Sequence, residues 1–421
     1  MTTLCSRQER WLFFIASVIF VNGLLAVSLA RGVIDVKALA IALAIIVLGA
    51  VVHLVIRKMN PVGDPFLFPC SFVLAAIGLI MIYRLKPALF ELQALWTSLG
   101  LLVFTVSTYY FRKLEKLADY KYVLGIIGIG LLLAAVLFGV DIGGHKSWIV
   151  LGPIRFQPSE FAKIFVVLFL AGYLDENSEL LRFATKRYAF LEIPEFRFLA
   201  PIIFLWILTS VMYVVQRDFG SALLYFGTVI IMVYMGSGKA SFLAIGSLLF
   251  LCGSAVSYKF YSHIQTRVDI WLNPWSDPSG RAFQIVQSLF ALGSGGLLGS
   301  GLTYGFPELI PEVHTDFIFA AIGEELGFAG ATAVMLLYIF LIYRAFRTSL
   351  QAPTPYLMLV AGGLATVLSL QVFLIVGGVI KFFPLTGIPL PWISYGGSAI
   401  VSNFILLAML YSVSGRRSAY E

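Results

Sequence analysis

The stretch Trp11–Ala30, WLFFIASVIFVNGLLAVSLA, contains no charged residue, and it decides the class of the whole chain. An α-helix needs about 20 apolar residues to cross the roughly 30 Å hydrocarbon core of a bilayer. The stretch lacks a convincing small-residue cleavage site and is soon followed by a second apolar run at 37–56. We therefore predict a retained first membrane helix rather than a removed signal peptide.

The composition extends this prediction to the other residues of the chain. Hydrophobic residues make up 60% and charged residues 12% of the sequence, and the mean hydropathy is +0.93. These values predict an all-α, polytopic membrane protein rather than a soluble domain. The cysteines lie far apart, without a C-x-x-C spacing, which argues against a disulfide framework or a zinc site; they are Cys5, Cys70 and Cys252. The net charge of +7 is more typical of cytoplasmic loops and anionic lipid contact than of nucleic-acid binding.

Apolar runs bounded by charge, proline and glycine predict about twelve membrane-spanning helices. They are expected near 11–30, 37–56, 66–84, 92–111, 121–139, 160–174, 198–215, 219–236, 240–258, 316–345, 355–380 and 391–414. Gln216, Arg217 and Asp218 interrupt the seventh and eighth runs, and these polar residues indicate a break at an interface.

The distribution of positive charge predicts the orientation. An even number of spans places both termini on one side, and with the termini inside the inner loops hold about 17 Lys and Arg against about 12 outside. The clearest inner loops are 111–122 and 174–198. We therefore predict cytoplasmic termini.

Three outer segments differ from ordinary connectors: 141–163, 260–315 and 381–398. Each mixes proline and glycine with cations, amides and aromatic residues. Irregular backbone at membrane depth is tolerated only where protein or a watery cavity covers it. The three segments therefore predict a polar cavity that opens outward. The glycine-rich run at 293–301 matches no nucleotide-binding motif, which favours a flexible loop or close helix packing.

The acidic stretch Pro311–Gly327, PEVHTDFIFAAIGEELG, holds the leading catalytic candidate. Asp316 precedes an apolar helix, where a carboxylate is typical of a helix cap. A carboxylate at the rim of a membrane cavity is also a functional candidate, and the cations of the outer segments favour that interpretation here. Glu324 and Glu325 lie two turns deeper, and we expect structural pairing rather than catalysis from both.

Charged residues elsewhere indicate an ion pair and an anion site. Glu160 and Lys163 stand three residues apart on one predicted helix, so we expect a local ion pair that organises the cavity wall. The outer cations together suit a phosphate or pyrophosphate ligand; they are Lys146, Arg155, Arg217, Arg267, Arg281 and Lys381. Trp271 and Trp275 are typical of a membrane interface, with stacking on sugar rings as the alternative.

Several stretches, in consistent order, resemble one family: the SEDS proteins, the RodA/FtsW/SpoVE group of bacterial cell-wall glycan polymerases. They are SWIVLGPIRFQPSEFAK, QRDFGSALL, NPWSDPSGRAFQIVQSLFALGSGGLLGSG, HTDFIFAAIGEELGF and PLTGIPLPWISYGGSA. The resemblance implies a ten-helix core over 61–421, with the long extracytoplasmic loop 260–315, and an added pair of helices over 1–60.

The resemblance also implies a function and a set of site residues. Members polymerise lipid II, a disaccharide-peptide on undecaprenyl pyrophosphate, at the outer face of the bacterial plasma membrane during elongation, division or sporulation. Their partner is a class B penicillin-binding protein. The essential loop aspartate of the family falls on Asp316. The expected substrate-binding residues include three of the outer cations, Lys146, Arg267 and Lys381. The others are polar or aromatic residues of the matching stretches: Trp148, Gln157, Gln216, Asp218, Gln284, Gln287, Ser288, His314 and Ser394.

One carboxylate is enough for this chemistry. Glycoside hydrolysis typically uses two, because the leaving oxygen needs an acid. A pyrophosphate leaving group is already a weak base, so it needs only cations or a divalent ion such as Mg²⁺ or Mn²⁺. No organic cofactor is expected, and Asp316 is left to act as general base on the acceptor hydroxyl.

Two other functions remain open from the sequence. A lipid II flippase is consistent with many helices, broken segments and an intramembrane ion pair, although polar residues concentrate on one side and no repeat is visible. A non-catalytic scaffold for a transpeptidase predicts tolerance of changes at Asp316. We rank the polymerase first, the flippase second and the scaffold third.

Overall fold

The structure is a computed structural model that describes residues 2–142, 144–152, 154–183, 185–188, 191–194 and 196–416. The chain divides into two compact units. Unit 1 consists of Met1–Tyr109, Thr266–Arg344 and Gln371–Gly415, and unit 2 consists of Tyr110–Gln265, Ala345–Leu370 and Arg416–Glu421.

Helices dominate the described residues. They are α1 (Thr2–Ala30), α2 (Val36–Met59), α3 (Leu67–Leu85), α4 (Pro87–Tyr110), α5 (Lys121–Phe138), α6 (Pro158–Glu176), α7 (Ser178–Phe183), α8 (Phe196–Gln216), α9 (Phe219–Ser237), α10 (Ser241–Phe260), α11 (Ser262–Leu272), α12 (Phe283–Ser294), α13 (Ile318–Leu350), α14 (Pro355–Val379) and α15 (Gly397–Ser414). Short 3₁₀ helices cover Phe111–Tyr120, Pro274–Ser276 and Pro307–Leu309.

The predicted class, an all-α polytopic membrane protein, is confirmed. Every predicted span coincides with a described helix, and α8 and α9 are separate, as Gln216–Asp218 indicated. Ten segments of the described chain are long and apolar enough to cross a membrane; one of them, Pro87–Phe138, contains both α4 and α5. The charge-bearing α6 is not among the ten. The division of the sequence at residue 60 stays a prediction.

Two of the segments expected to be irregular contain regular structure. The segment 141–163 includes antiparallel strands β1 (Val140–Ile142), β2 (His145–Leu151) and β3 (Ile154–Phe156), in the order β1-β2-β3. The segment 260–315 contains α11 and α12. Helix α12 forms because its apolar residues recur on one face, where Ile285, Val286 and Ala291 are buried.

A further pair of strands lies in the predicted inner loop 174–198. It joins β4 (Thr185–Tyr188) to the antiparallel β5 (Leu191–Pro194). Ala184, Ala189, Phe190 and Glu195 of that predicted loop lie outside the described residues. The last predicted span begins at Gly397 rather than at 391, because 391–396 forms turns that complete the irregular segment predicted at 381–398.

Close contacts between helices in unit 1 depend on glycine. A Cβ at Gly100 would overlap the ring of Phe404, and a Cβ at Gly78 would lie 2.6 Å from the carbonyl oxygen of Trp392. Helices α1 and α2 both pack against α3 in this manner, because Gly23 of α1 faces Ile80 and Gly49 of α2 faces the Phe72 ring. In a membrane the hydrophobic effect contributes little to helix association, because lipid is as apolar as the side chains. Small residues instead allow close van der Waals packing between helices.

Helix α13 is broken at Gly327, which has φ 68° and ψ −173°. The glycine-rich run beside it takes up the freed backbone groups: the amides of Ser300 and Gly301 donate to the carbonyls of Glu324 and Glu325, at 2.9 and 3.0 Å. The amide of Phe328 donates in turn to Gly296. A Cβ at Gly299 would overlap the Glu325 carbonyl. The run therefore packs closely against a helix, one of the two structures that its sequence favoured.

Candidate functional site

The carboxylate of Asp316 and the guanidinium of Arg267 converge on Gly387 in unit 1. Asp316 is half-buried two residues before α13. A Cβ at Gly387 would lie 3.4 Å from its Oδ2 and 3.9 Å from Nη2 of Arg267. The structure thus brings together two predicted site residues and a glycine from the segment 381–398. The arrangement places a proton acceptor beside a fixed positive charge.

Hydrogen bonds fix the segment 381–398 around this pair. Nη1 of Arg267 donates to the carbonyls of Leu385 and Thr386, at 2.8 and 3.1 Å. Nε1 of Trp271 donates to the Lys381 carbonyl at 3.3 Å. Because α11 carries both donors, it connects the segments 260–315 and 381–398.

The residues directly before Asp316 are held by the same segment. Oγ of Ser394 donates to the Thr315 carbonyl at 2.5 Å, and the amide of Tyr395 donates to the His314 carbonyl at 2.9 Å. Predicted residues His314 and Ser394 therefore join Asp316 in one bonded group. The loop position of the carboxylate is thus set by bonds to the two backbone carbonyls that precede it.

His314 is buried at this site. Burial lowers the pKa of its imidazole, the nearby Lys86 ammonium lowers that pKa further, and Glu312 opposes the change. Nε2 of His314 lies 3.7 Å from Oε2 of Glu312. A pKa below the ordinary value keeps the ring neutral at pH 7, so His314 adds a hydrogen-bonding group and no charge.

Four other predicted residues of unit 1 lie on α12 and the segment after α14. Gln284 and Gln287 are half-buried on α12, whereas Ser288 is fully buried and donates to the Ile285 carbonyl at 2.8 Å. Lys381 is half-buried, with φ +61°. Such a backbone is uncommon for a residue with a Cβ and is often found at functional sites.

The remaining predicted residues belong to unit 2. Glu160 and Lys163 form a buried ion pair at 2.6 Å. Asp218 caps α9, accepting from the amide and hydroxyl of Ser221 at 3.0 and 2.7 Å. Gln216 is fully buried and donates to the Leu132 carbonyl at 3.2 Å. Lys146 is exposed on β2, whereas Trp148 and Gln157 are half-buried.

Arg84 was not singled out from the sequence, although it is central to the packing beside the site. Its Nε donates to Oε1 of Glu325 at 2.9 Å, its Nη2 donates to the Gly305 carbonyl at 3.1 Å, and its Nη1 pairs with Glu308. Oε1 of Glu324 accepts from the amide of Phe306 at 2.8 Å. Both glutamates thus have structural partners, as expected. A charge at the end of an apolar run was the available signal for Arg84.

Gly387 gives a first testable prediction. Its φ of +72° disfavours any residue with a Cβ by about 1–2 kcal/mol, and the added methyl would also contact the Asp316 carboxylate. We expect Gly387→Ala to lower the activity of the site at least about tenfold. A tenfold loss corresponds to a rise of ~1.4 kcal/mol in the activation free energy of the reaction. Activity and thermal unfolding of the purified variant measure this.

Gly238→Ala is the matched control for Gly387→Ala. Gly238 has nearly the same φ, +73°, and a Cβ there would meet nothing within 4 Å. The two variants should lose similar stability, and only the change at Gly387 should impair activity. Equal activity of both would show that the space beside Asp316 does not matter.

Comparisons with known proteins come from sequence and from structure. Residues 64–419 match the model of the FtsW, RodA and SpoVE family, described as "Cell cycle protein". Peptidoglycan glycosyltransferase RodA of Mycobacterium tuberculosis is 37% identical over 385 residues, which cover 88% of this chain and 82% of that protein. Stage V sporulation protein E of Bacillus subtilis is 33% identical and is covered over 99% of its length, with 86% of this chain.

Solved structures show the same likeness. RodA of Thermus thermophilus is similar with a TM-score of 0.60 and 25% identity, over 85% of this chain and 98% of that one. A second structure is described as "Structural coordination of polymerization and crosslinking by a peptidoglycan synthase complex". Its chain is similar with a TM-score of 0.67 and 26% identity, over 84% of this chain and 97% of that one.

Proposed function

Because the chain belongs to the FtsW/RodA/SpoVE family, we propose that it is a peptidoglycan glycosyltransferase that polymerises lipid II into glycan strands. Relatives at 37% identity over most of the chain bear that enzymatic name. The proposed mechanism rests on the position of Asp316, which is half-buried beside Gly387 and Arg267.

The proposed setting is the bacterial plasma membrane. The chain is a multi-pass membrane protein, and the excess of Lys and Arg in the predicted inner loops supports cytoplasmic termini and an outward-facing Asp316. A class B penicillin-binding protein is the proposed partner. The similar chain from a complex that coordinates polymerization and crosslinking supports this pairing.

In the proposed reaction Asp316 is the general base. Its carboxylate takes the proton of the acceptor sugar hydroxyl, while that oxygen forms a bond to the anomeric carbon of the donor sugar. The bond from the same carbon to the diphosphate oxygen breaks, and the diphosphate leaves with the electron pair. It needs no proton, because it is a weak base. A single carboxylate with the opposite-face attack of an inverting transfer is therefore sufficient.

Arg267 is the proposed source of positive charge for the departing diphosphate. Its guanidinium is already held by the Leu385 and Thr386 carbonyls, so little reorganisation accompanies the reaction. Charges fixed in advance where negative charge develops stabilise the transition state more than mobile ones. Arginine also matches phosphate oxygens in a two-pronged manner.

A divalent cation, Mg²⁺ or Mn²⁺, is proposed to accompany the diphosphate of the substrate. In the described residues no three His, Cys, Asp or Glu side chains are grouped so as to hold a metal ion. Magnesium is commonly bound through substrate phosphates and few protein ligands. We expect a chelator to slow polymerisation and added Mg²⁺ or Mn²⁺ to restore it; an unchanged rate would remove the ion from the proposal.

Incubation of the purified protein and its transpeptidase partner with lipid II tests the function. The proposal predicts glycan chains that lengthen with time. Movement of lipid II across liposomes without chain growth would instead support the flippase. Growth that persists in every Asp316 variant and requires only the partner would support the scaffold.

A further inference from the structure

The turn between α1 and α2 holds the end of α3. The last carbonyls of a helix have no partner within it. Nη2 of Arg31 donates to the carbonyls of Tyr83 and Arg84, at 2.7 and 3.2 Å. Its guanidinium lies 4.6 Å from the centre of the Tyr83 ring, close enough for a cation–π contact. One side chain of the turn therefore fixes both the backbone and the ring at this helix end.

Asp35 completes this attachment. Its Oδ2 accepts from the hydroxyl of Tyr83 at 2.9 Å, and its Oδ1 accepts from the amide of Ala38 at 3.0 Å, which caps α2. Tyr83 itself is buried, at 3% exposure. Because the same carboxylate orders α2 and binds Tyr83, the start of α2 and the end of α3 are fixed to each other.

The next residue of α3 reaches in another direction, toward the loop that leads to Asp316. Arg84 bonds to the Gly305 carbonyl and to the carboxylates of Glu308 and Glu325. These partners flank Asp316 in sequence on both sides. At the end of α3, Tyr83 is therefore bonded to the turn between α1 and α2, and the next residue, Arg84, is bonded to the loop before Asp316.

We propose that Arg31, Asp35 and Tyr83 are positioning residues for the reaction at Asp316, and that they act through Arg84. The inference rests on the proposed function and adds a role for α1 and α2, which precede the matched residues 64–419. The path runs from Asp35 to the Tyr83 hydroxyl and from Arg31 to the carbonyls of Tyr83 and Arg84. It continues along the chain to the Arg84 side chain, which bonds to Gly305 and Glu308. Loss of the first contact should loosen the last.

Tyr83→Phe tests the proposal with the smallest change. It removes one hydroxyl, which donates to Asp35 and also lies 3.3 Å from the Ser28 hydroxyl, and keeps the ring under Arg31. We expect kcat for lipid II polymerisation to fall about 2- to 10-fold, the range that loss of the bond to Asp35 produces, with KM within about twofold. Asp35→Ala should show at least the same loss of kcat, because it removes the acceptor of the Tyr83 hydroxyl together with the cap of α2. Asp35→Asn keeps one acceptor oxygen for these two bonds, so it should restore part of the loss.

Tyr411→Phe is the matched control at the far end of the same two helices. The Tyr411 hydroxyl donates to the Asn60 carbonyl at 3.3 Å, next to the end of α2. If α1 and α2 serve only stability, Tyr83→Phe and Tyr411→Phe will lower the unfolding midpoint and kcat together. The proposal instead requires that kcat falls in the first variant alone.

Hydrogen–deuterium exchange of the full chain provides a readout that does not need activity. Backbone amides of 305–317 should exchange faster in Tyr83→Phe than in the unchanged protein or in Tyr411→Phe. Unchanged exchange and unchanged kcat would overturn the inference. If the unchanged protein does not polymerise lipid II, the proposed function fails by itself, and the exchange result still decides whether the turn positions the loop.

Discussion

Asp316→Asn is expected to abolish lipid II polymerisation and to leave the fold intact. The amide has almost the shape of the carboxylate, and it cannot take a proton from the acceptor hydroxyl at neutral pH. Loss of a general base costs typically 10²–10⁴-fold in rate. The measurement is the yield of glycan chains from lipid II with purified protein, together with the thermal unfolding midpoint.

The choice of asparagine also separates the base from a helix cap. Asp316 lies just before α13, where Asn and Asp are about equally good caps. A capping role alone would therefore survive Asp316→Asn, whereas a catalytic role would not. Asp277→Asn is the control in the preceding segment 260–315, because the Asp277 side chain is 45% exposed and pairs with Arg281. Full activity of Asp316→Asn would eliminate the proposed base.

The sequence predicted the spans and the leading carboxylate because both are local signals. Runs such as Trp11–Ala30 need no partner to be recognised, since bilayer thickness sets their length. Asp316 was conspicuous because charge is scarce in the chain and the helix after it is apolar. The Gln216–Asp218 break was found for the same reason.

Features that depend on distant residues were not predictable in the same way. The break at Gly327 requires hydrogen bonds from the run 296–301, and a glycine in an apolar helix gives no sign of them. Gly387 matters through its φ and through contact with a carboxylate far away in sequence. The strands β1 to β3 were not predicted, because each is short and the segment 141–163 contains proline, glycine and cations. These residues interrupt the alternation of apolar and polar residues that would indicate a strand.

Arg84→Met should produce the second large effect, on stability as well as activity. The Arg84 side chain is 10% exposed and Glu325 is fully buried, so the substitution leaves a carboxylate without its cation in the interior. Removal of one partner of a buried ion pair costs about 3–5 kcal/mol. We expect a lower unfolding midpoint and loss of polymerisation, because the loop before Asp316 also loses its bonds from Gly305 and Glu308.

Lys37→Met is the surface counterpart of this change. Lys37 pairs with Glu91 at 2.5 Å, but the side chains are 68% and 59% exposed, so the pair contributes at most about 1 kcal/mol. Its unfolding midpoint should stay close to that of the unchanged protein. A similar loss in both variants would mean that burial does not determine the cost.

The double variant Arg84→Met with Glu325→Leu separates the two consequences of losing Arg84. Replacing a buried ion pair by apolar residues of similar volume is often neutral or stabilising, so the unfolding midpoint should recover. Polymerisation should not recover, because methionine cannot bond to Gly305 or Glu308 and the loop stays unanchored. Recovery of activity together with stability would show that Arg84 serves the fold alone. A double variant as unstable as Arg84→Met would show that the unpaired Glu325 is not the cause.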